Sequence, residues 1–115
     1  MCRTMRKIIL SVLVILCLLS TIGFTKSTNY ITSDVETVKS QQIDDQKVIL
    51  EGTIGSYSGD EKFVFNDDTG EILMEIDDDF YGNPQELLGA KIRAYCEVEA
   101  KFYGVSVEAD QVDFL

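Results

Sequence analysis

Apolar and polar side chains alternate along five stretches of this chain, and that period of two restricts the fold more than any other feature. Successive side chains of a β-strand point to opposite faces, so the alternation predicts strands with one buried and one solvated face. In the first stretch Val48, Leu50 and Ile54 share a face with Gly52, and this glycine predicts a bend or a close backbone approach. The five predicted strands span residues 47–54, 62–66, 71–77, 91–101 and 105–115, the last interrupted near Asp110.

The side chains predicted to face inward from the three middle strands are almost all large and apolar. They are Phe63, Phe65, Ile72, Met74, Ile76, Ile92, Ala94, Cys96 and Val98. Cys96 in this phase predicts a small core residue with an inert thiol rather than a redox centre.

The segments between the strands predict turns and short helices. Residues 55–60 predict a loop, and residues 66–70 predict a tight hairpin turn rich in Asp and Gly. Asn83 as cap, Pro84 at the first helical position and Gly89 as the stop predict one or two helical turns before the fourth strand.

A further helix is predicted ahead of the first strand. Ser33 as cap and Glu36 three residues later form a capping box, which predicts a short helix to about Gln41, with a frayed lead-in as the alternative. Three meandering strands, a short helix and two more strands are the order of an OB-type Greek-key barrel. The sequence therefore predicts a mainly β, five-stranded OB fold with small α content over residues 33–115.

The first residues predict export. Arg3, Arg6 and Lys7 precede an apolar run over residues 8–24, which is typical of a secretory signal. We expect a signal peptide over residues 1–24 and a linker over residues 25–32. The run is long enough that an uncleaved anchor stays open as an alternative, whereas Leu16 before Cys17 argues against lipidation.

Charge excludes several functions. The chain has 10 basic and 20 acidic residues, and removal of the three signal cations would leave 7 against 20, a net charge of −13. Such a chain repels nucleic acid and anionic lipid, so we expect no nucleic-acid partner, no membrane contact after signal cleavage, and a monomer. Because the sequence has no histidine, nucleophile–histidine catalysis and histidine-ligated metal sites are excluded.

Residues 57–82 hold nine carboxylates and one basic residue, Lys62. The acids around residues 66–71 lack the spacing of an EF-hand loop and are explained by turn chemistry, so no metal ligand is predicted. No nucleophile and base can be assembled either, so neither catalytic residues nor a cofactor is predicted.

Two interpretations of these acids stay open, a cation-binding face and a solvated surface. Acids at the end of the third strand together with aromatic rings would suit amines, basic peptides or cationic antimicrobials. The candidate ligand-binding residues are Tyr57, Asp60, Glu75, Asp77, Asp78, Asp79, Tyr81 and Tyr103.

Several segments in order resemble the exported bacterial OB-fold (BOF) family of the YgiW/YdeI type. They are DDQKV (44–48), LEGTI (50–54), GDEKF (59–63), DTG (68–70) and EIDD (75–78), and the resemblance extends over residues 35–115. It implies a signal peptide, a five-stranded OB barrel, a periplasmic address and a role in stress tolerance, without a catalytic mechanism. Two positions depart from the family pattern: Cys96 stands where a small residue, usually Gly, is expected, and Phe80-Tyr81-Gly82 stands where Trp and Gly are expected.

The leading hypothesis is a non-enzymatic periplasmic protein that binds a small or cationic envelope ligand and contributes to stress tolerance. The alternatives are an interaction module of the cell envelope, with Phe80, Tyr81 and Leu115 in a protein contact, and a nucleic-acid-binding OB domain, which charge and export oppose.

Overall fold

The computed structural model describes residues 29–115, so the predicted signal peptide and the first residues of the predicted linker lie outside the described part. The elements are β1 (Ile31–Thr32), α1 (Val35–Gln41), β2 (Lys47–Gly59), β3 (Lys62–Asp67), β4 (Gly70–Ile76), β5 (Lys91–Lys101) and β6 (Gly104–Phe114). Two 3₁₀ turns, Asp78–Phe80 and Pro84–Leu87, connect β4 to β5. Among residues 29–115, no helix is long and apolar enough to cross a membrane.

Strands β2 to β6 form a closed barrel. The strand order is β2–β3–β4–β6–β5, and β5 pairs with β2 to close the ring. All neighbours are antiparallel except β4 and β6, which pair in parallel. The predicted five-stranded OB fold with little helix is therefore confirmed. In addition, β1 pairs in parallel with β2 beside the barrel, within the segment that was expected to be a linker.

The barrel interior holds the side chains that the alternation placed there. Phe63, Phe65, Met74 and Ile92 have no solvent exposure, and α1 covers the core with Val35 and Val38. Burying an aliphatic or aromatic side chain of this size contributes about 1.5–3 kcal/mol. The predicted close approach at Gly52 is confirmed, because a Cβ there would lie 2.3 Å from the backbone oxygen of Asn66.

Two local predictions were wrong. The loop predicted at residues 55–60 is the continuation of β2, which reaches Gly59 through two irregularities in its pairing with β3. These bulges break the alternation of apolar and polar residues, so the sequence of this segment does not show the pattern of a strand. The cap of α1 is Asp34 rather than Ser33, since the Asp34 Oδ1 atom accepts a 2.7 Å hydrogen bond from the backbone N–H of Thr37.

The interruption predicted near Asp110 is a β-bulge. Tyr95 pairs with Gln111 and Cys96 pairs with Ala109, so Asp110 has no partner opposite it on β5. The bulge directs the carboxylate outward, where it accepts hydrogen bonds from the Tyr30 hydroxyl at 3.0 Å and from Lys47 Nζ at 2.9 Å.

Candidate acid–aromatic site

The predicted ligand-binding residues lie in two neighbouring places. Tyr57, Asp77, Asp78 and Tyr81 come together with Glu61, and we call these five residues the acid–aromatic cluster. Glu75 and Tyr103 line a groove between β4 and β6, which we call the β4–β6 groove. Asp60 and Asp79 are exposed in turns beside the cluster.

The backbone between β2 and β3 positions Glu61. Asp60 and Glu61 both have left-handed conformations, with φ of 53° and 63°, as a two-residue hairpin turn with the twist of its strands requires. The carbonyl oxygen of Glu61 accepts a 2.8 Å hydrogen bond from the backbone N–H of Ile76. This bond places the turn beside the end of β4, where Asp77 and Asp78 follow.

The two aspartates are positioned by the 3₁₀ turn that they begin. Asp77 Oδ1 accepts a 2.9 Å hydrogen bond from the backbone N–H of Asp79 and caps the turn Asp78–Phe80. Carboxylate oxygens of Glu61, Asp77 and Asp78 consequently lie within 4.8 Å of one another.

The three carboxylates perturb one another. Partial burial and then the charges of Asp77, Asp78 and Glu75 raise the pKa of Glu61. A hydrogen bond with Asp77, followed by burial and the charges of Asp77 and Asp79, raises the pKa of Asp78. Negative charge at this point is therefore unfavourable without a cation, and a bound cation would lower both pKa values.

Tyr57 and Tyr81 both pack on the core side chain of Phe63, and this packing holds their rings near the acids. The Phe63 ring is 5.0 Å from the Tyr57 ring and 5.4 Å from the Tyr81 ring, measured between centroids. Burial raises the pKa of Tyr81, and the nearby Tyr57, Glu61, Asp78 and Asp77 raise it further. The Tyr81 phenol therefore belongs to the same site as the acids, with an aromatic ring at the position where the family pattern expects Trp.

The β4–β6 groove has a volume of about 270 Å³, and its charged lining residues are Glu75, Glu99, Lys62 and Lys101. Carboxylate oxygens of Glu75, Glu99 and Glu108 lie within 4.8 Å of one another. Glu75 is opposite Glu108, and Glu108 is opposite Glu97, so three acids occupy one row across neighbouring strands. Burial raises the pKa of Glu108, and the charges of Glu75 and Glu99 raise it further.

Lysines stand at both ends of this row. Lys62 is opposite Glu75, and Lys47 is opposite Glu97, with 3.5 Å between Lys47 Nζ and Glu97 Oε2. The row therefore runs around the outside of the barrel as a lysine, three glutamates and a lysine.

Sequence reasoning missed Glu61, Glu99 and Glu108. The predicted hairpin at residues 66–70 could have revealed Glu61. Antiparallel pairing counted back from that turn sets Lys62 opposite Glu75, so Glu61 lies at the end of β4. Glu99 and Glu108 face outward in the alternation, but their proximity to Glu75 depends on the parallel pairing of β4 with β6, which has no local signal.

The turn that was considered for calcium uses its carboxylate on the protein itself. Asp67 Oδ1 accepts hydrogen bonds from the backbone N–H groups of Thr69 and Gly70 and from the Thr69 hydroxyl, at 2.8, 3.1 and 2.6 Å. Asp67 Oδ2 accepts a 3.0 Å hydrogen bond from the backbone N–H of Val35 in α1. Burial opposes ionisation of Asp67, but these hydrogen bonds outweigh it and lower its pKa.

Cys96 has no solvent exposure, and burial raises the pKa of its thiol to about 12. Its side chain is a core residue, in agreement with its predicted phase, and it takes no part in either acidic group.

Solved structures support the fold. The structure of the hypothetical protein ygiW from E. coli superposes with a TM-score of 0.64 at 21% identity, over 78% of this chain and 100% of that chain. Asparaginyl-tRNA synthetase from Pyrococcus horikoshii matches with a TM-score of 0.57 at 17% identity, over 72% of this chain and 22% of that chain. At these identities the likeness is one of fold alone.

A search of the curated proteins found no match to this chain. The sequence profile described as "Bacterial OB fold (BOF) protein", in contrast, matches residues 20–113, which is most of the chain. This match includes α1, the two 3₁₀ turns and all five barrel strands except the last residue of β6, so the chain belongs to the bacterial OB-fold (BOF) family.

Proposed function

We propose that this BOF protein is a non-enzymatic periplasmic binding protein, that it takes a small organic cation at the acid–aromatic cluster, and that it contributes to stress tolerance of the cell envelope. The observation that carries the proposal is the convergence of carboxylate oxygens of Glu61, Asp77 and Asp78 within 4.8 Å, near enough to Tyr81 that their charges raise the pKa of its phenol. Within the described residues 29–115, Lys62 is the one basic residue in the stretch that contributes this cluster.

The chemistry of the cluster favours an amine over a metal ion. An ammonium group donates charge-assisted hydrogen bonds to carboxylates and is also attracted by an aromatic face within about 6 Å. Calcium and magnesium, in contrast, take six or more oxygen ligands and gain little from a ring. Tyr57 and Tyr81 flank the acids and Tyr57 is 37% exposed, so a ring face is accessible to a ligand.

Export and a role in stress are supported by the sequence. The basic and apolar start of the chain is typical of a secretory signal, and the resemblance to exported BOF proteins implies the same address. The chain has 20 acidic residues against 10 basic ones, and such a charge favours cationic ligands. Fractionation of cells that express the full chain should recover it from the periplasm, whereas recovery from the cytoplasm would contradict the proposed address.

Titration of the purified protein with spermidine, followed by amide NMR shifts, tests the binding. We expect saturable shifts at Glu61 and at residues 77–81 that persist at 150 mM salt. Asp78→Asn should weaken binding by about three- to tenfold, since it removes one carboxylate of the cluster. Asp68→Asn removes the same charge from an exposed turn elsewhere and serves as the matched control.

Two results would contradict the proposal. One is a set of small shifts that spread over all acids and disappear in salt, which is the behaviour of a solvated surface. The other is an equal loss of affinity in Asp78→Asn and Asp68→Asn, since the cluster would then matter only through net charge.

A further inference from the structure

The β4–β6 groove opens where two neighbouring strands of the barrel separate. Strands β4 and β6 pair only where residues 74–76 meet residues 107–109. Before this point, within the described part of the chain, residues 70–73 pair with β3 alone and residues 104–106 pair with β5 alone. The groove between them holds about 270 Å³, just below the range of about 300–1,000 Å³ that is usual for drug-sized ligands. Its size therefore suits a ligand no larger than an amino acid.

The charges that line this groove have both signs and balance. Lys62, Lys101, Glu75 and Glu99 are its charged residues, so their formal charges sum to zero. Lys62 is directly opposite Glu75 across β3 and β4. Lys101 follows Glu99 by two positions in β5, which places both on one face of the strand. A groove of this kind favours neither a simple cation nor a simple anion, but it can orient a ligand that carries both charges.

The lysines and glutamates of the groove are not paired with one another. The ion pairs among residues 29–115 lie elsewhere and are Lys47–Glu97, Lys47–Asp110 and Arg93–Glu51. Carboxylate oxygens of Glu75 and Glu99 lie within 4.8 Å of each other, and both side chains are half-buried, whereas Lys62 and Lys101 are exposed. A cationic group between the two carboxylates would relieve their repulsion, and each lysine is available to an anionic group.

One wall of the groove is apolar. Leu73, Val105 and Tyr103 contribute to the lining, and Leu73 is 36% exposed although it lies in a barrel strand. The Tyr103 ring follows in the turn after β5 and is 77% exposed. An apolar group of a ligand would cover these side chains and remove them from water.

We propose that the β4–β6 groove binds a free α-amino acid with an apolar side chain. The ammonium group lies between Glu75 and Glu99, the carboxylate faces one of the two lysines, and the side chain contacts Leu73 and Tyr103. Side chains opposite each other on neighbouring strands have Cβ atoms about 4.5–5.5 Å apart, so a head group with both charges on one carbon can reach a lysine and a glutamate together. This site is separate from the acid–aromatic cluster and takes a zwitterion instead of a cation.

Three probes with the same ring test the reading of both charges. L-phenylalanine has the ammonium and the carboxylate, phenethylamine lacks the carboxylate, and 3-phenylpropionate lacks the ammonium. Amide NMR of the purified protein at about 0.15 M salt should show saturable shifts at residues 73–75 and 99–106 with phenylalanine. The other two probes should bind the groove about tenfold more weakly or not at all. L-alanine keeps the head group but lacks the ring, so it should also bind about tenfold more weakly.

Protein variants assign the charges to residues. Glu99→Gln should weaken phenylalanine binding about three- to tenfold. One of the two lysine variants, Lys62→Gln or Lys101→Gln, should make phenylalanine and phenethylamine bind the groove equally, because the group that holds the carboxylate is then gone. Glu86→Gln and Lys39→Gln make the same changes at exposed positions outside the groove and should have no effect.

Two results would overturn the proposal. Equal binding of the three aromatic probes would mean that the groove offers apolar surface alone. A preference for phenylalanine that persists in both lysine variants would mean that neither lysine holds the carboxylate. Phenethylamine is itself an organic cation, so its shifts at residues 77–81 report on the acid–aromatic cluster. Asp78→Asn should weaken those shifts and leave phenylalanine binding unchanged, so that failure of either site can be told from failure of the other.

Discussion

Replacement of Gly52 by alanine tests the tightest backbone approach in the barrel. A Cβ at this position would lie 2.3 Å from the backbone oxygen of Asn66 and 2.7 Å from the Phe65 ring. The Asn66 backbone is held between Thr53 of β2 and Glu71 of β4, so it cannot withdraw without disturbing both pairings.

The size of the effect follows from that rigidity. Overpacking of a well-packed interior costs about 1–3 kcal/mol, and a clash with paired backbone belongs at the upper end. A loss of about 3 kcal/mol in the free energy of unfolding lowers Tm by roughly 12–24 °C in a domain of this size. Thermal and urea unfolding, followed by far-UV circular dichroism, measure both quantities.

Gly55→Ala is the matched control, since it makes the same change in the same strand. Its Cβ would lie 2.9 Å from the Asn66 amide nitrogen, which is the end of a side chain that can rotate away. We expect the control to lose less than about 1 kcal/mol. Equal losses in the two variants, or a Gly52→Ala protein as stable as the parent, would refute the argument from backbone contact.

Three further predictions concern titratable groups. Asp67→Asn should lose about 1.5–3 kcal/mol of stability at pH 7, because an amide cannot accept all the hydrogen bonds of the carboxylate. The pKa of Asp67 is lowered in the folded state, so this stabilisation is present above its ordinary pKa of 3.8 and is lost as pH falls through the pKa of the folded state. Urea unfolding at pH 7 and at pH 2 should show that the free energies of unfolding of the two proteins converge at the lower pH. Glu108→Gln should stabilise the barrel by about 0.2–1 kcal/mol at pH 7, while Glu86→Gln should not. The folded pKa of Glu108 is raised, so its protonated form is favoured at low pH and the gain from Glu108→Gln should vanish at pH 3; persistence of the gain there would contradict a charge effect. The Cys96 thiol is buried and its pKa is raised to about 12, so it should be alkylated only as fast as the protein unfolds. Mass analysis of the peptide that contains Cys96 measures the rate of alkylation, and rapid labelling of the folded protein would contradict the burial of the thiol.

Strand identity and side-chain phase could be predicted because each barrel strand is half buried. The inward residues Phe63 and Met74 were identified by alternation alone, and the order of the elements was enough for the OB fold. The extension of β2 through Ser56 to Gly59 could not be predicted, because bulges shift the phase and leave polar residues on both faces.

For the candidate sites too, residues whose positions depend on local pairing could be predicted and those that depend on distant pairing could not. Asp77 and Asp78 were identified, and hairpin register could have added Glu61, because antiparallel pairing from a tight turn is local in sequence. Glu75 and Glu108 are 33 positions apart in the sequence and meet only through the parallel pairing of β4 with β6, and no short-range pattern encodes such a contact. Tyr103 was predicted as a ligand-binding residue together with Tyr57 and Tyr81, but the structure places it at the β4–β6 groove, away from those two tyrosines.

The hydrogen bonds of Asp67 have a consequence for local motion. A helix of seven residues is far below the length at which helices persist alone in water, so α1 depends on its attachments. Those attachments converge on one turn, since Asp67 holds the Val35 amide and the Thr69 hydroxyl accepts a 3.0 Å hydrogen bond from the Glu36 amide. Release of that turn frees the first turn of α1 in the same event. We therefore expect the amides of Val35, Glu36, Thr69 and Gly70 to exchange with solvent as one cooperative unit, at a lower free energy than the amides within the barrel.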